Sequence, residues 1–192
     1  MRNSILIVPH SDDESLWCSV ICLRYKPKVI VVTDSFIQYE RGQTEITAHR
    51  RRDETRAACE ILGVSVEFLG FADDIYNKVV VGEALFQAGY LDVNTLADVI
   101  FVPAVQGGNH QHDLIGTYAE EFVEFWKTKL IKYSTYSKDE PYTPIPEYRE
   151  LLPTQTEALI KAKALKCYTS QHFQTHFHAV NGNTSEWISD LP

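Results

Sequence analysis

Residues 4–16 read SILIVPHSDDESL, and the junction between their two halves decides the fold. The first half is a short, unbroken apolar run. The second holds His10, Asp12, Asp13 and Glu14 in a tight cluster. It leads into DESLWCSVICLRY (13–25), where Leu16, Val20 and Leu23 fall near one helical face. A second unbroken apolar run, PKVIVVTDS (27–35), follows. Runs of this kind suit parallel strands covered on both faces.

Working outward, the alternation continues. A polar helix is expected from about 44 to 62, stopped by Gly63. VSVEFLGF (64–71) reads as a strand, and a short helical piece lies near 83–88. DVIFVPA (98–104) is a further strand, and HDLIGTYAEEFVEFWKTK (112–129) is an amphipathic helix. LIKYSTYS (130–137) alternates like a strand, while DEPYTPIPEY (139–148), with three prolines, should be irregular. TQTEALIKAKALKCY (154–168) is the last clear helix. With no repeat or long linker, the expectation is one α/β domain over 1–192. Its sheet should be Rossmann-like, doubly wound and mostly parallel, with helices on both faces.

The whole chain narrows the function classes. No apolar stretch approaches the roughly 20 residues needed to span a bilayer, and MRNSILIVPHSDD lacks a signal-peptide layout. A cytoplasmic protein without membrane insertion is expected. The net charge is −8, which argues against nucleic acid as a partner, because a phosphate backbone needs a broad basic face. Cys18, Cys22, Cys59 and Cys167 form no CxxC pair and read as buried thiols in a reducing compartment.

Doubly wound sheets bind ligands at the carboxyl ends of their strands. PHSDDE lies there. It has no glycine to cradle a phosphate, and its carboxylates would repel one, so a cation is expected. A second strand-to-helix turn, PAVQGGNHQHD (103–113), falls on the same sheet edge. His10, Asp13 and His112 can therefore converge. Two imidazoles and one carboxylate suit Zn2+ and leave a coordination position open for water. Asp12 would then be free to take a proton from that water. Read locally, the same acids also suit an N-cap and first-turn complement to a helix dipole.

PHSDDE resembles the [AP]HPDDE signature of the LmbE-like, or PIG-L, family of zinc-dependent N-acetylglucosaminyl de-N-acetylases. Further blocks follow in the family's order: RRDETRAACEILGV (51–64), FLGFADD (68–74), GGNHQHDLIG (107–116) and KAKALKCYTSQ (161–171). The resemblance implies that His10, Asp13 and His112 are the metal ligands and Asp12 the general base. It also implies a small-molecule substrate, an N-acetylated amino sugar or its conjugate, from which acetate is released. Arg56 and Asp73 are the expected substrate contacts.

Two departures stand out. Ser11 replaces the family's usual proline. Asn109 stands where the family often has a histidine, and asparagine cannot deliver a proton, although it can donate a hydrogen bond to an oxyanion. His110 is then the nearest titratable group and the expected acid. The competing expectation is a metal- or sugar-binding protein of the same family with little or no deacetylase activity, marked by Asn109. Tyr168 stands where the family often has histidine. His172, His176 and His178 read as surface. Tyr133, Tyr136, Tyr142 and Tyr148 cluster around the proline-rich loop, as a pocket cover or a subunit contact, which leaves a homo-oligomer open.

Overall fold

The computed structural model describes residues 4–35, 47–72, 97–126, 128–138, 144–171 and 184–189. Strands β1 (Ser4–Val8), β2 (Lys28–Thr33), β3 (Val66–Phe71), β4 (Val99–Pro103) and β5 (Lys129–Tyr133) are mutually parallel where they pair. Two short strands complete the sheet, β6 (Arg149–Leu151) and β7 (Glu186–Ile188), which is antiparallel to both β5 and β6. The order is β3-β2-β1-β4-β5-β7-β6, a mostly parallel α/β sheet of seven strands.

That order places a switch point between β1 and β4. The chain winds outward from β1 through β2 to β3, then returns to the other side of β1 as β4. Crevices open at the carboxyl ends of strands at such a point. The register Ser4↔Val99 to Leu6↔Phe101 brings the ends of β1 and β4 to similar height.

Successive β1 side chains point to opposite faces and feed two cores. Leu6 and Val8 pack with Val29, Val31 and Phe101 beneath helices α1 (Asp13–Leu16), α2 (Ser19–Tyr25) and α3 (Ala48–Leu62). Ile5 and Ile7 join Ile30, Val32, Ile100 and Val102 against Ile115, Tyr118 and Ala119 of helix α4 (His110–Trp126). Burying each such side chain contributes about 1.5–3 kcal/mol, which is why unbroken apolar runs make central strands. Helix α5 (Gln155–Leu165) lies on the α3 side and starts with a capping box between Thr154 and Glu157. Gly63 ends α3 at φ 70°, where a Cβ would be strained.

The structure corrects several expected bounds. The helix expected over 13–25 is two helices, because a second amino terminus forms after Trp17 and Cys18. The Glu186 carboxylate of β7 accepts hydrogen bonds there from the Val20 N–H (2.9 Å) and the Ile21 N–H (3.2 Å). The strand expected over 130–137 ends at Tyr133. Strands β6 and β7 were not expected. The helical piece near 83–88 and the first half of the proline-rich loop, 139–143, lie outside the described residues. Among the described residues, no helix is long and apolar enough to cross a membrane.

Candidate metal centre

The PHSDDE turn folds tightly after β1. The His10 N–H donates to Asp13 Oδ2 at 2.8 Å, and the Asp12 carbonyl accepts from the Ser15 and Leu16 N–H groups at 2.9 Å, starting α1. Asp12 sits at φ 142°, a conformation that costs an L-residue on the order of 1–3 kcal/mol. Its carboxylate is buried and lies 3.0 Å from Arg51 Nη2, itself 2% exposed. Arg51 also donates to the Ser11 carbonyl.

The second turn brings His112. Asn109 caps α4, its Oδ1 accepting from the Gln111 N–H (3.0 Å) and the His112 N–H (3.4 Å). Asp113 Oδ1 accepts from the Gln106 and Gly107 N–H groups and holds the loop below. One turn after His112, Gly116 lets α4 lie close to the end of β4: a Cβ there would come within 2.6 Å of the Pro103 carbonyl oxygen.

The two turns meet. One ligand-capable atom from each of His10, Asp13 and His112 lies within 4.8 Å of the other two. His10 Nδ1 and His112 Nε2 each stand 3.3 Å from Asp13 Oδ2. His112 and Asp13 are 1% exposed, while His10 is 20% exposed and marks the side open to solvent. Burial pushes the Asp13 carboxyl upward, but His112 and His10 outweigh it and hold it well below the usual carboxylate range. Asp13 Oδ1 and both ring nitrogens of His112 are buried without a hydrogen-bond partner. Buried polar atoms are seldom left so, because each forfeits its hydration. A divalent cation would satisfy all three residues, so the site fits a metal on its own geometry.

Aromatic rings back this cluster. The His10 and His112 rings lie 5.2 Å apart, the Tyr136 ring meets His112 edge-on at 5.1 Å, and Trp17 meets Tyr136 at 5.0 Å. Beneath it, Glu14 is fully buried and accepts from Ser15 Oγ (2.6 Å) and the Tyr168 hydroxyl. Burial pushes its pKa up to about 7. Burial also raises the Asp12 carboxyl above its ordinary value, against the opposing pull of Arg51.

The other expected site residues that are described are less buried than Asp13 and His112. His110 is exposed at the first residue of α4, and Asn109 is half-buried at the cap. Arg56 is exposed, pairs with Asp53 at 2.8 Å and lies 5.1 Å over the Phe68 ring. The arginine that reaches Asp12 is Arg51. The inward face of α3 carries Arg51, Glu54, Thr55, Ala58, Cys59 and Leu62, and 56 falls outside that phase. This helical spacing was the signal that could have singled out Arg51. Asp73 lies outside the described residues, as do His172, His176 and His178.

Solved structures share this fold. The A40926 pseudoaglycone deacetylase Dbv21 is 16% identical with TM-score 0.71, covering 97% of each chain. The N,N′-diacetylchitobiose deacetylase of Pyrococcus horikoshii is 17% identical with TM-score 0.68, covering 92% of this chain and 73% of its own. GalB, the 4-carboxy-2-hydroxymuconate hydratase of Pseudomonas putida KT2440, is 17% identical with TM-score 0.71, covering 100% and 97%. At such identities the likeness is one of fold, and the fold alone hosts both deacetylation and hydration. No curated protein matches the chain significantly. The sequence itself is more decisive: residues 5–123 match the profile of the GlcNAc-PI de-N-acetylases, PIG-L, and the chain belongs to that family.

Proposed function

We propose that this protein is a zinc-dependent de-N-acetylase acting on an N-acetylated amino sugar or a conjugate of one. The observation that carries the reading is the His10–Asp13–His112 cluster, in which buried atoms of Asp13 and His112 lack a hydrogen-bond partner at the switch point of the sheet. Family membership supplies the reaction class. His10, Asp13 and His112 would hold the ion, and the mixed nitrogen and oxygen donor set suits zinc. Bound there, zinc would polarise an amide carbonyl and make a nearby water more acidic.

The chain's own groups account for the proton traffic. Asp12, adjacent to Asp13, takes the proton from the attacking water. Asn109 has its Oδ1 committed to the α4 cap, which leaves its amide N–H free in role to donate to a developing oxyanion. His110 stands two residues from His112, exposed enough to exchange protons with solvent, and is assigned delivery to the leaving nitrogen. Asp73 is retained as a contact to sugar hydroxyls. One domain over 1–192 carries the whole site. The four cysteines are free, three of them buried, which suits a reducing cytoplasm.

The test is metal content by mass spectrometry together with amine release from N-acetylglucosamine conjugates. His112→Ala should lose both the metal and turnover. Asp12→Asn should keep the metal and lose turnover by about 10²–10⁴-fold. A metal-loaded protein that releases no amine from any such substrate supports the binding-protein reading instead.

A further inference from the structure

Asp12 and Asp13 are consecutive, both buried, and differ in what holds them. Asp13 faces the two histidines. Asp12 is turned to Arg51, 3.0 Å away, and lies outside the set of converging ligand atoms. A carboxylate beside a divalent ion is drawn onto it unless a comparable charge holds it elsewhere. Arg51 is that charge, and it is not itself loose. Its second nitrogen lies 3.5 Å from Ser170 Oγ. Ser170 in turn is fixed by Glu54, which accepts from the Ser170 N–H at 2.9 Å and from its hydroxyl. Thr169 Oγ1 donates to the same Glu54 at 2.9 Å. Arg51 and Glu54 are one turn apart on α3 and are therefore locked together with the 169–171 turn.

We infer that Arg51 is a positioning residue that keeps Asp12 out of the metal's ligand set and so keeps one coordination position open. The strained backbone at Asp12 belongs to the same device. Its carbonyl is committed to starting α1, so φ 142° aims the side chain toward α3, and the ion pair with Arg51 offsets the conformational cost. The inference rests on the metal-site reading given under the proposed function, yet it is read without any substrate.

The experiment loads the purified parent, Arg51→Met, Arg51→Lys and the double variant Arg51→Met/Asp12→Asn with cobalt(II), and measures visible absorption and zinc affinity by chelator competition. Arg51→Met should release Asp12 onto the ion. The tetrahedral cobalt absorption should weaken as coordination number rises, zinc should bind more tightly, and turnover should fall roughly 10–100-fold at little changed KM. The double variant should recover the parent spectrum, and Arg51→Lys, which keeps a cation beside Asp12, should retain it. If Arg51→Met does not fold, Arg51→Gln takes its place, keeping a donor to the Ser11 carbonyl.

An unchanged cobalt spectrum in the folded neutral variant overturns the inference. So does a spectrum shifted as far in Arg51→Lys as in Arg51→Met, because charge then does not hold Asp12. A raised KM with unchanged turnover would make Arg51 a substrate contact instead. A parent that binds no cobalt or zinc defeats the metal-site reading itself, which separates the two failures.

Discussion

Lys161→Met tests the most deeply buried charge pair among the described residues. Lys161 Nζ lies 3.0 Å from Glu186 Oε1, with side-chain exposures of 0% and 1%. Glu186 also receives the Val20 and Ile21 N–H groups of α2. Removing the ammonium leaves a carboxylate in the core with only backbone donors, and breaking such a pair costs about 3–5 kcal/mol. Those donors retain part of the compensation, so the lower end, about 3 kcal/mol, is expected. At about 2–4 °C per kcal/mol for a protein of this size, Tm should fall by about 6–12 °C.

The sign of the pH dependence follows from burial, which raises the Glu186 pKa despite the opposing pull of Lys161. A carboxyl raised in the folded state weakens folding once it ionises, so this contribution is lost as pH rises from the ordinary carboxyl range through the raised value. Without Lys161 the rise is larger, so the gap between variant and parent should narrow on acidification. Urea denaturation at several pH values reads both effects. Lys161→Met/Glu186→Gln should recover much of the loss, because a glutamine oxygen still accepts from α2 and no charge is stranded. A loss below about 1 kcal/mol, or one independent of pH, refutes the assignment of a stabilising ionised pair.

Three further expectations are open to measurement. Asn109→Ala should lower stability by about 1 kcal/mol through loss of the α4 cap, while His110→Ala should leave Tm almost unchanged and lower turnover more; paired melts and kinetics separate them. Gly116→Ala should cost about 1–3 kcal/mol and weaken zinc binding, because a Cβ 2.6 Å from the Pro103 carbonyl pushes α4, and His112 with it, away from β4; a melt and a chelator titration read both. Glu157 has its pKa lowered to about 2, chiefly by its hydrogen bond from Arg24. Its contribution is present above the ordinary glutamate value and lost as pH falls toward about 2. The pair is partly exposed, so Glu157→Gln should differ from the parent by no more than about 1 kcal/mol at neutral pH and converge with it in acid.

Local signals made most of the sheet legible. The apolar runs at 4–8, 28–33 and 99–103 are central strands because both faces are covered, and Gly63 marks a helix end through backbone chemistry alone. β6 and β7 escaped because each has three residues, and their pairing is decided by the partner strand rather than by their own pattern. The split between α1 and α2 escaped for a similar reason, since its cause is the distant Glu186. The convergence of His10, Asp13 and His112 was legible from their place after two strands. Arg51 was not singled out because the helix was read only as polar and Arg56 was taken as its substrate contact. The phase of the helix, with Glu54 and Thr55 beside Arg51 on the inward face, distinguishes it from Arg56.

The Glu186 cap also has a consequence for the order in which the protein is made. The α2 amino terminus waits for a side chain 166 residues downstream of Val20. At about 5–20 residues per second, that is roughly 10–30 s of synthesis. During that interval β1 and β2 can emerge and pair, but the turn between α1 and α2 lacks its distant acceptor. The turn between α1 and α2 would thus settle only once residue 186 has been made and β7 joins β5. A nascent chain stopped short of residue 186 would hold most of the sheet and still lack the acceptor for the first N–H groups of α2.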